Sequence, residues 1–392
     1  MSEIQWPEMA QLQAWRHDLH RHPETAYQEH RTSAFVAQLL TSWGLQVHTG
    51  LAGTGVVGVL QGLRGPGPSI GLRADMDALH VQELNECAHK SVHAGRMHAC
   101  GHDGHTTMLL GAAQALASAP DFAGVVHFIF QPAEENEGGA RKMMEEGLFE
   151  RFPMDAVYSM HNWPGLPVGV AAVHSTAVMA AFDIFDLTLT GQGCHAAMPH
   201  LGKDALLAAC QLVTQLPALI AREQEVHKPA VLSVTSFHAG DTYNVMPESI
   251  HLRGTVRCFD MTQRARVEQR FRDAIAAVCT LHGLQAQLDY RVSYPATIND
   301  PAHAQVCAQV LTEVLGEGQV RQDMKPSMAS EDFSFMSQAR PGVYIWMGNG
   351  EDSASLHNPK YDFNDQVLPK GVQYYVALVY ALLRDGKLPV AG

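Results

Sequence analysis

Apolar residues recur at helical spacing over residues 7–21 and 28–43, and the run SIGLRAD (69–75) has the pattern of a buried strand leading into acidic residues. A helix over about 105–118, a strand at GVVHFIF (124–130) and another at DAVYSMH (155–161) continue the alternation. Strands that alternate with helices predict a largely parallel, helix-covered sheet, because a parallel pair needs a crossover long enough to carry a helix.

The pattern changes at FDIFDLTLTG (182–191), where apolar and polar residues alternate with period two, as on a strand with one wet face. A helix at about 203–224, strands AVLSVTSF (230–237) and SIHLRGTVRCF (249–259), a helix at 262–282 and a strand at QAQLDYRVS (285–293) follow. That β-α-β-β-α-β order is the split, ferredoxin-like arrangement of a small independent domain. From about 300 the earlier style returns, with a strand at GVYIWMG (342–348) and a helix at 367–384. The expected architecture is an α/β domain with a mostly parallel central sheet (1–179 and 295–392), interrupted by an inserted α+β, ferredoxin-like domain (180–294).

Composition narrows the class. A chain of 392 residues favours two domains over one core, and 46% hydrophobic with 17% charged residues excludes a mainly disordered protein. The formal charge of −13, from 27 basic and 40 acidic residues with no Lys/Arg-rich run, argues against nucleic acid or an anionic membrane as partner. The start, MSEIQWPEMAQLQAW, has neither the basic nor the apolar region of a secretory signal. No stretch approaches the roughly 18 apolar residues that suggest a membrane span. Seven scattered cysteines, an odd number, argue against a disulfide framework and for a reducing, cytoplasmic location.

The 22 histidines change the picture, because several stand beside other potential ligands. In HACGHDGH (98–105), Cys100 and His102 are two apart, so on an extended segment their side chains would share one side. A thiolate and an imidazole suit Zn²⁺, Mn²⁺, Co²⁺ or Ni²⁺ better than Ca²⁺ or Mg²⁺. Glu134 and Glu135 follow the strand 124–130, where open α/β sheets place their ligands. His161 ends another strand, and His357 lies in a polar loop. Taken singly, each has a plainer reading: an inert buried cysteine, a solvated acidic loop, a structural histidine. Jointly, each lies at the end of an element of one scaffold and none comes from the inserted block. Such a donor set is enough for two ions.

RADMDAL (73–79), MHACGHDGHT (97–106), QPAEE (131–135), MHNWP (160–164), GCHAAMPH (193–200), NVMPES (244–249), SEDFS (330–334) and LHNP (356–359) occur in this order over nearly the whole chain. In them the sequence resembles the hippurate hydrolase and auxin-conjugate hydrolase branch of the aminoacylase/carboxypeptidase-type dinuclear metallopeptidases. The resemblance implies two divalent ions per subunit, Zn²⁺ or Mn²⁺ with Co²⁺ or Ni²⁺ acceptable, held by Cys100, His102, Glu135, His161 and His357. It implies that Glu134 is the catalytic acid/base. His195 and Asn244 would reach the substrate's carbonyl or carboxylate, and Arg257 would bind a carboxylate end. The implied reaction is amide hydrolysis of a small N-acyl amino acid (hippurate-like, N-acetyl or aryl-acyl), with a dipeptide as the alternative substrate. A homodimer or higher oligomer through the inserted lid domain is implied too, and whether His195 serves its own or the partner subunit's site stays open.

The sequence departs from the broader superfamily at Asp75-Met76-Asp77, where a metal-binding His-x-Asp is usual. Asp75 is therefore left out of the ligand set, and Asp77 is read as a carboxylate that orients a ligand histidine. His80 stands where a proline is usual, and His98 has no implied role; both are read as structural. Two readings of other classes remain. A non-catalytic metal-binding or scaffolding relative would lack Glu134 or a ligand, and none is lacking. A hydrolase with Cys100 as nucleophile would keep its activity under chelation.

Overall fold

The computed structural model of the chain describes residues 4–135, 137–384, 386 and 388–390. They form two units, one of residues up to Val178 with Ile298–Lys325 and the chain from Asp332 onward, the other of Met179–Thr297 with Pro326–Glu331.

The first unit is built on an eight-stranded sheet in the order Gln46–Leu51, Gly55–Gln61, Val125–Gln131, Ser69–Asp75, Ala156–Pro164, Gly342–Gly350, Ala171–Val173, Val320–Arg321. Its centre is parallel, from Val125–Gln131 through to Gly342–Gly350. Those strands are buried over nearly their whole length, as expected where helices cover both faces and the sequence reads as an apolar run. Antiparallel partners flank it, so the sheet is mixed. The hairpin Gln46–Leu51/Gly55–Gln61 was not expected from the sequence. Its outer strand is mostly exposed, so it carries almost no apolar signal. The helix His102–Ser118 is buried along most of its length and packs against Leu368–Leu383. It starts at the carboxyl-terminal end of Ser69–Asp75, where Thr106 Oγ1 donates to the carbonyl of Asp75 at 2.9 Å.

The second unit is a four-stranded antiparallel sheet in the order Ala230–Ala239, Ser249–Cys258, Ala181–Thr190, Gln285–Tyr294, packed against helices Ala205–Glu223 and Met261–His282. Strand Ala181–Thr190 alternates buried and half-buried positions without a break, as its sequence predicts. Phe185, Leu187 and Leu189 meet Ala208, Leu212, Leu216 and Phe271 in a core of their own. One expectation needs correcting here. Helix Ala205–Glu223 is long and apolar enough, with a mean hydropathy of 1.4 over 18 residues, to match a membrane span in composition. Its buried positions, Ala205, Ala208, Ala209, Leu212, Leu216 and Ile220, follow the 3.6-residue period of an amphipathic helix lying on a sheet.

Beneath the start of helix His102–Ser118 lies a buried ionic network. His20 Nδ1 sits 2.8 Å from Asp103 Oδ2 and its Nε2 3.3 Å from Glu83 Oε1, while Arg16 Nη1 reaches Asp362 at 2.6 Å. Burial disfavours a charge on His20, but the carboxylates of Asp103 and Glu83 outweigh it and push the pKa up to about 9. A histidine raised from 6.5 to about 9 on folding stabilises fully below pH 6.5, and the contribution disappears as pH rises through 9. His20 is therefore expected to account for a loss on the order of 3 kcal/mol across that window. Urea unfolding at pH 6.5 and 9.5 checks it: the wild type should lose more stability than His20→Gln, and equal losses would contradict the charged pair.

Candidate metal centre

Cys100 and His102 do not lie on an extended segment, as the sequence spacing suggested. Gly101 between them adopts φ +89° and caps the helix that begins at His102. A Cβ on Gly101 would stand 2.3 Å from Asn162 Nδ2 and 2.5 Å from the Tyr361 hydroxyl, so the position admits only glycine. Asn162 Nδ2 donates to the Cys100 carbonyl at 2.7 Å, and the Tyr361 hydroxyl donates to Asn162 Oδ1 at 2.8 Å. The turn carrying Cys100 is thereby tied to the strand carrying His161.

The glutamate pair follows strand Val125–Gln131 through Ala133, a non-glycine residue at φ +54°. The Asp77 carboxylate accepts the backbone N–H of Glu134 on one oxygen and that of Glu135 on the other, both at 3.0 Å. The Asp77 carbonyl accepts from His102 Nδ1 at 2.8 Å, with the carboxylate Oδ1 3.3 Å away. Asp77 thus orients His102, as expected, but chiefly through its main chain. His357 is another left-handed residue, φ +64°, whose N–H donates to the Ala99 carbonyl at 2.8 Å. Its Nε2 stands 3.1 Å from Glu135 Oε1, and its side chain is half exposed.

These turns bring the donor atoms together. Those of Cys100, His102 and His161 lie within 4.8 Å of one another, as do those of Cys100, Glu135 and His357, and those of His102, Glu134 and Glu135. Because carbonyl oxygens only accept, Nδ1 of both His102 and His161 must carry the proton, the latter donating to the Asn162 carbonyl at 2.6 Å. In the neutral ring the lone pair of each therefore falls on Nε2. His161 Nε2 faces the Cys100 sulfur at 3.4 Å, and His102 Nε2 is buried with no hydrogen-bond partner among the described residues.

The electrostatics agree with a cation site. Burial opposes a proton on His102, yet the charges of Asp75, Asp77 and Glu135 draw its pKa up to about 10. Burial, with Glu135 and Glu134, holds the Cys100 thiol well above its ordinary value. A thiolate can form there only if positive charge arrives with it. The donor set therefore fits two divalent ions, with Cys100 common to two of the three groups.

Asp75 also lies near His102, but its oxygens are committed. Oδ1 accepts from His105 Nδ1 at 2.6 Å and Oδ2 from Arg73 Nη1 at 2.8 Å. His105 Nε2 in turn accepts the Asn162 N–H at 3.0 Å. Arg73, fully buried, donates as well to Gln131 Oε1 at 2.8 Å and to Asp332 Oδ1 at 2.9 Å. The sequence reading gave no role to Arg73, His105, Asn162, Tyr361 or Asp332. All but Tyr361 sit inside the quoted motifs, yet a motif does not say which of its polar residues faces inward. His98 is buried, and burial lowers its pKa to about 4, so it stays neutral as a core histidine. His80, read as structural, is exposed and lines a cavity of about 620 Å³ together with Thr25, Tyr27, Leu79 and Glu135.

In the second unit, His195 lies on a two-stranded ribbon, Cys194–His195 against Val245–Met246, and Asn244 directly precedes the second strand. The Asn244 carbonyl accepts the Ala196 N–H at 3.0 Å. His195 Nδ1 accepts the Ala197 N–H at 3.1 Å, which puts the imidazole proton on Nε2. Arg257 stacks 4.4 Å over the Phe182 ring and donates from Nη1 to the Met328 carbonyl at 2.9 Å.

The sequence pattern of peptidase family M20/M25/M40 matches residues 71–381. The chain is 36% identical to hippurate hydrolase of Campylobacter jejuni over 382 residues, covering 96% of this chain and 99% of that protein. It is 36% identical to the IAA-amino acid hydrolase ILR1-like 4 of Arabidopsis thaliana, covering 95% and 86%. The crystal structure of the Bacillus subtilis YXEP protein, described as a dinuclear metal binding peptidase of the M20 family, superposes with a TM-score of 0.84 at 32% identity, covering 95% of this chain and 97% of that one. The chain belongs to peptidase family M20/M25/M40 and is a metal-dependent hydrolase.

Gly101→Ala should cost about 1–2 kcal/mol from the left-handed backbone alone, and more from the displaced Asn162 and Tyr361. The variant is expected to retain less metal than the wild type after dialysis, by elemental analysis, with a lower thermal midpoint. Unchanged metal content would show that the turn does not set the site.

Proposed function

We propose that this member of peptidase family M20/M25/M40 hydrolyses the amide bond of N-acyl amino acids, releasing a carboxylic acid and a free amino acid. The observation that carries this reading is the buried Nε2 of His102, which has no hydrogen-bond partner among the described residues and is set among a thiol and carboxylates with the other nitrogen fixed as a donor. Cys100, His102, Glu135, His161 and His357 would hold two divalent ions, Zn²⁺ or Mn²⁺. When bound, such ions acidify a water toward pH 7 and polarise the amide carbonyl. The names of the curated relatives, hippurate hydrolase and IAA-amino acid hydrolase, support an N-acyl amino acid as substrate.

The chain's own groups do the rest. Glu134, buried and held by the Asp77 carboxylate through its backbone N–H, takes the proton of the attacking water and passes it to the leaving nitrogen. His195, with its proton on Nε2, donates a hydrogen bond to the oxygen that gains charge, and Asn244 beside it supplies a second polar contact. Arg257 pairs with the carboxylate of the amino-acid half. The second unit, roughly 180–294, acts as lid and as the pairing surface of a homodimer. A dipeptidase acting through the same groups is the second reading, favoured by the description of the Bacillus subtilis structure as a peptidase.

Chelation should abolish activity and added Mn²⁺ or Zn²⁺ restore it; activity that survives chelation but not alkylation would point to Cys100 as nucleophile instead. Glu134→Gln should lower kcat by about 10²–10⁴-fold while metal content stays at the wild-type level. Loss of metal together with activity would overturn that division of roles. Turnover of N-acetyl, N-benzoyl and indole-acyl amino acids beside dipeptides separates the two substrate readings.

A further inference from the structure

Glu29 begins the helix His30–Ser42 and is fully buried. Its Oε1 accepts two backbone N–H groups, from Tyr27 at 3.1 Å and from Ala133 at 3.0 Å, and its Oε2 accepts the Thr54 hydroxyl at 2.6 Å. Tyr27, at φ +60°, and Ala133, at φ +54°, are two of the four non-glycine residues with left-handed backbone among the described residues. Each such residue costs on the order of 1–3 kcal/mol and persists only where its surroundings over-determine it. Ala133 directly precedes Glu134, and Tyr27 lines the cavity that Glu135 also lines. One carboxylate oxygen therefore fixes the approach to the glutamate turn and a wall of the cavity beside it.

We propose that Glu29 is a positioning residue that holds the turn carrying Glu134 and Glu135 in register with the metal centre. Its part differs from that of Asp77: Asp77 fixes the N–H groups of the two glutamates, and Glu29 fixes the N–H of the residue before them. Burial lifts the Glu29 carboxyl to about 7 against the lowering pull of the Thr54 hydroxyl, so the fold keeps an acid there at a cost in stability. A neutral amide can take over the geometry: its oxygen accepts both N–H groups, and the Thr54 hydroxyl turns to accept from its NH₂.

The inference deepens the functional reading above and rests on its assignment of Glu134 and Glu135. Its test uses metal-free wild type, Glu29→Gln and Glu29→Ala, titrated with Co²⁺ and followed by absorbance, then assayed on the N-acyl amino acid panel. Glu29→Ala is expected to bind Co²⁺ about 10–100-fold more weakly and to lose about tenfold or more in kcat with KM changed far less. Glu29→Gln should recover most of both losses. Wild-type Co²⁺ affinity and kcat in Glu29→Ala would overturn the proposal, as would a Glu29→Gln protein as damaged as Glu29→Ala. Should Glu29→Ala fail to fold, Thr54→Val, which removes only the hydroxyl donor, should weaken Co²⁺ binding several-fold, and unchanged binding would overturn the proposal instead. A wild type that binds two Co²⁺ ions yet hydrolyses nothing in the panel defeats the functional reading, while the titrations still decide Glu29.

Discussion

Asp77 gathers the donors of the metal centre into one frame: its carboxylate takes the N–H groups of Glu134 and Glu135, and its carbonyl takes His102 Nδ1. Three hydrogen bonds to one buried residue decide which nitrogen of His102 faces the other donors and where the two glutamates begin. Hydrogen bonds in a desolvated site polarise one another and hold their geometry, so the frame is stiff where the chemistry needs stiffness.

Such a frame concentrates negative charge, and the fold answers with separate compensation for separate groups. Arg73 neutralises Asp75 and Asp332 behind the site, and His105 takes the other oxygen of Asp75. Beneath the helix His102–Ser118, Arg16 and a protonated His20 balance Asp103, Glu83 and Asp362. The charges of Asp75, Asp77 and Glu135 draw His102 toward a charged form, and burial with Glu135 and Glu134 keeps the Cys100 thiol from ionising. Divalent ions would supply the missing charge and displace those protons.

The second unit has a core of its own and carries His195, Asn244 and Arg257 on short strands and a sheet face. Its chemistry is of another kind: a neutral imidazole with a defined donor, a side-chain amide, and a planar cation stacked on Phe182. On the proposed reading these groups grip a polar substrate rather than hold a metal.

Much of this was legible in the sequence. The period-two alternation at 182–191 and the apolar runs at 69–75 and 124–130 mark their strands, because burial of a sheet's faces is written residue by residue. The ordered motifs singled out Cys100, His102, Glu135, His161 and His357, and the structure places their donor atoms in overlapping groups. The exposed strand Gln46–Leu51 was not legible, since it buries too little to leave a pattern. Nor was the αL turn at Gly101, which replaced the extended segment expected there. The residues that orient the site were hidden for a different reason: Glu29 meets Ala133 104 positions away in the chain, and Asp332 meets Arg73 259 away. Sequence determines which chemistry is available and which elements carry it, because period and turn preference are local. Which histidine nitrogen is left bare, and which carboxylate already has its proton or its cation, depends on partners that only the tertiary fold brings within hydrogen-bond reach.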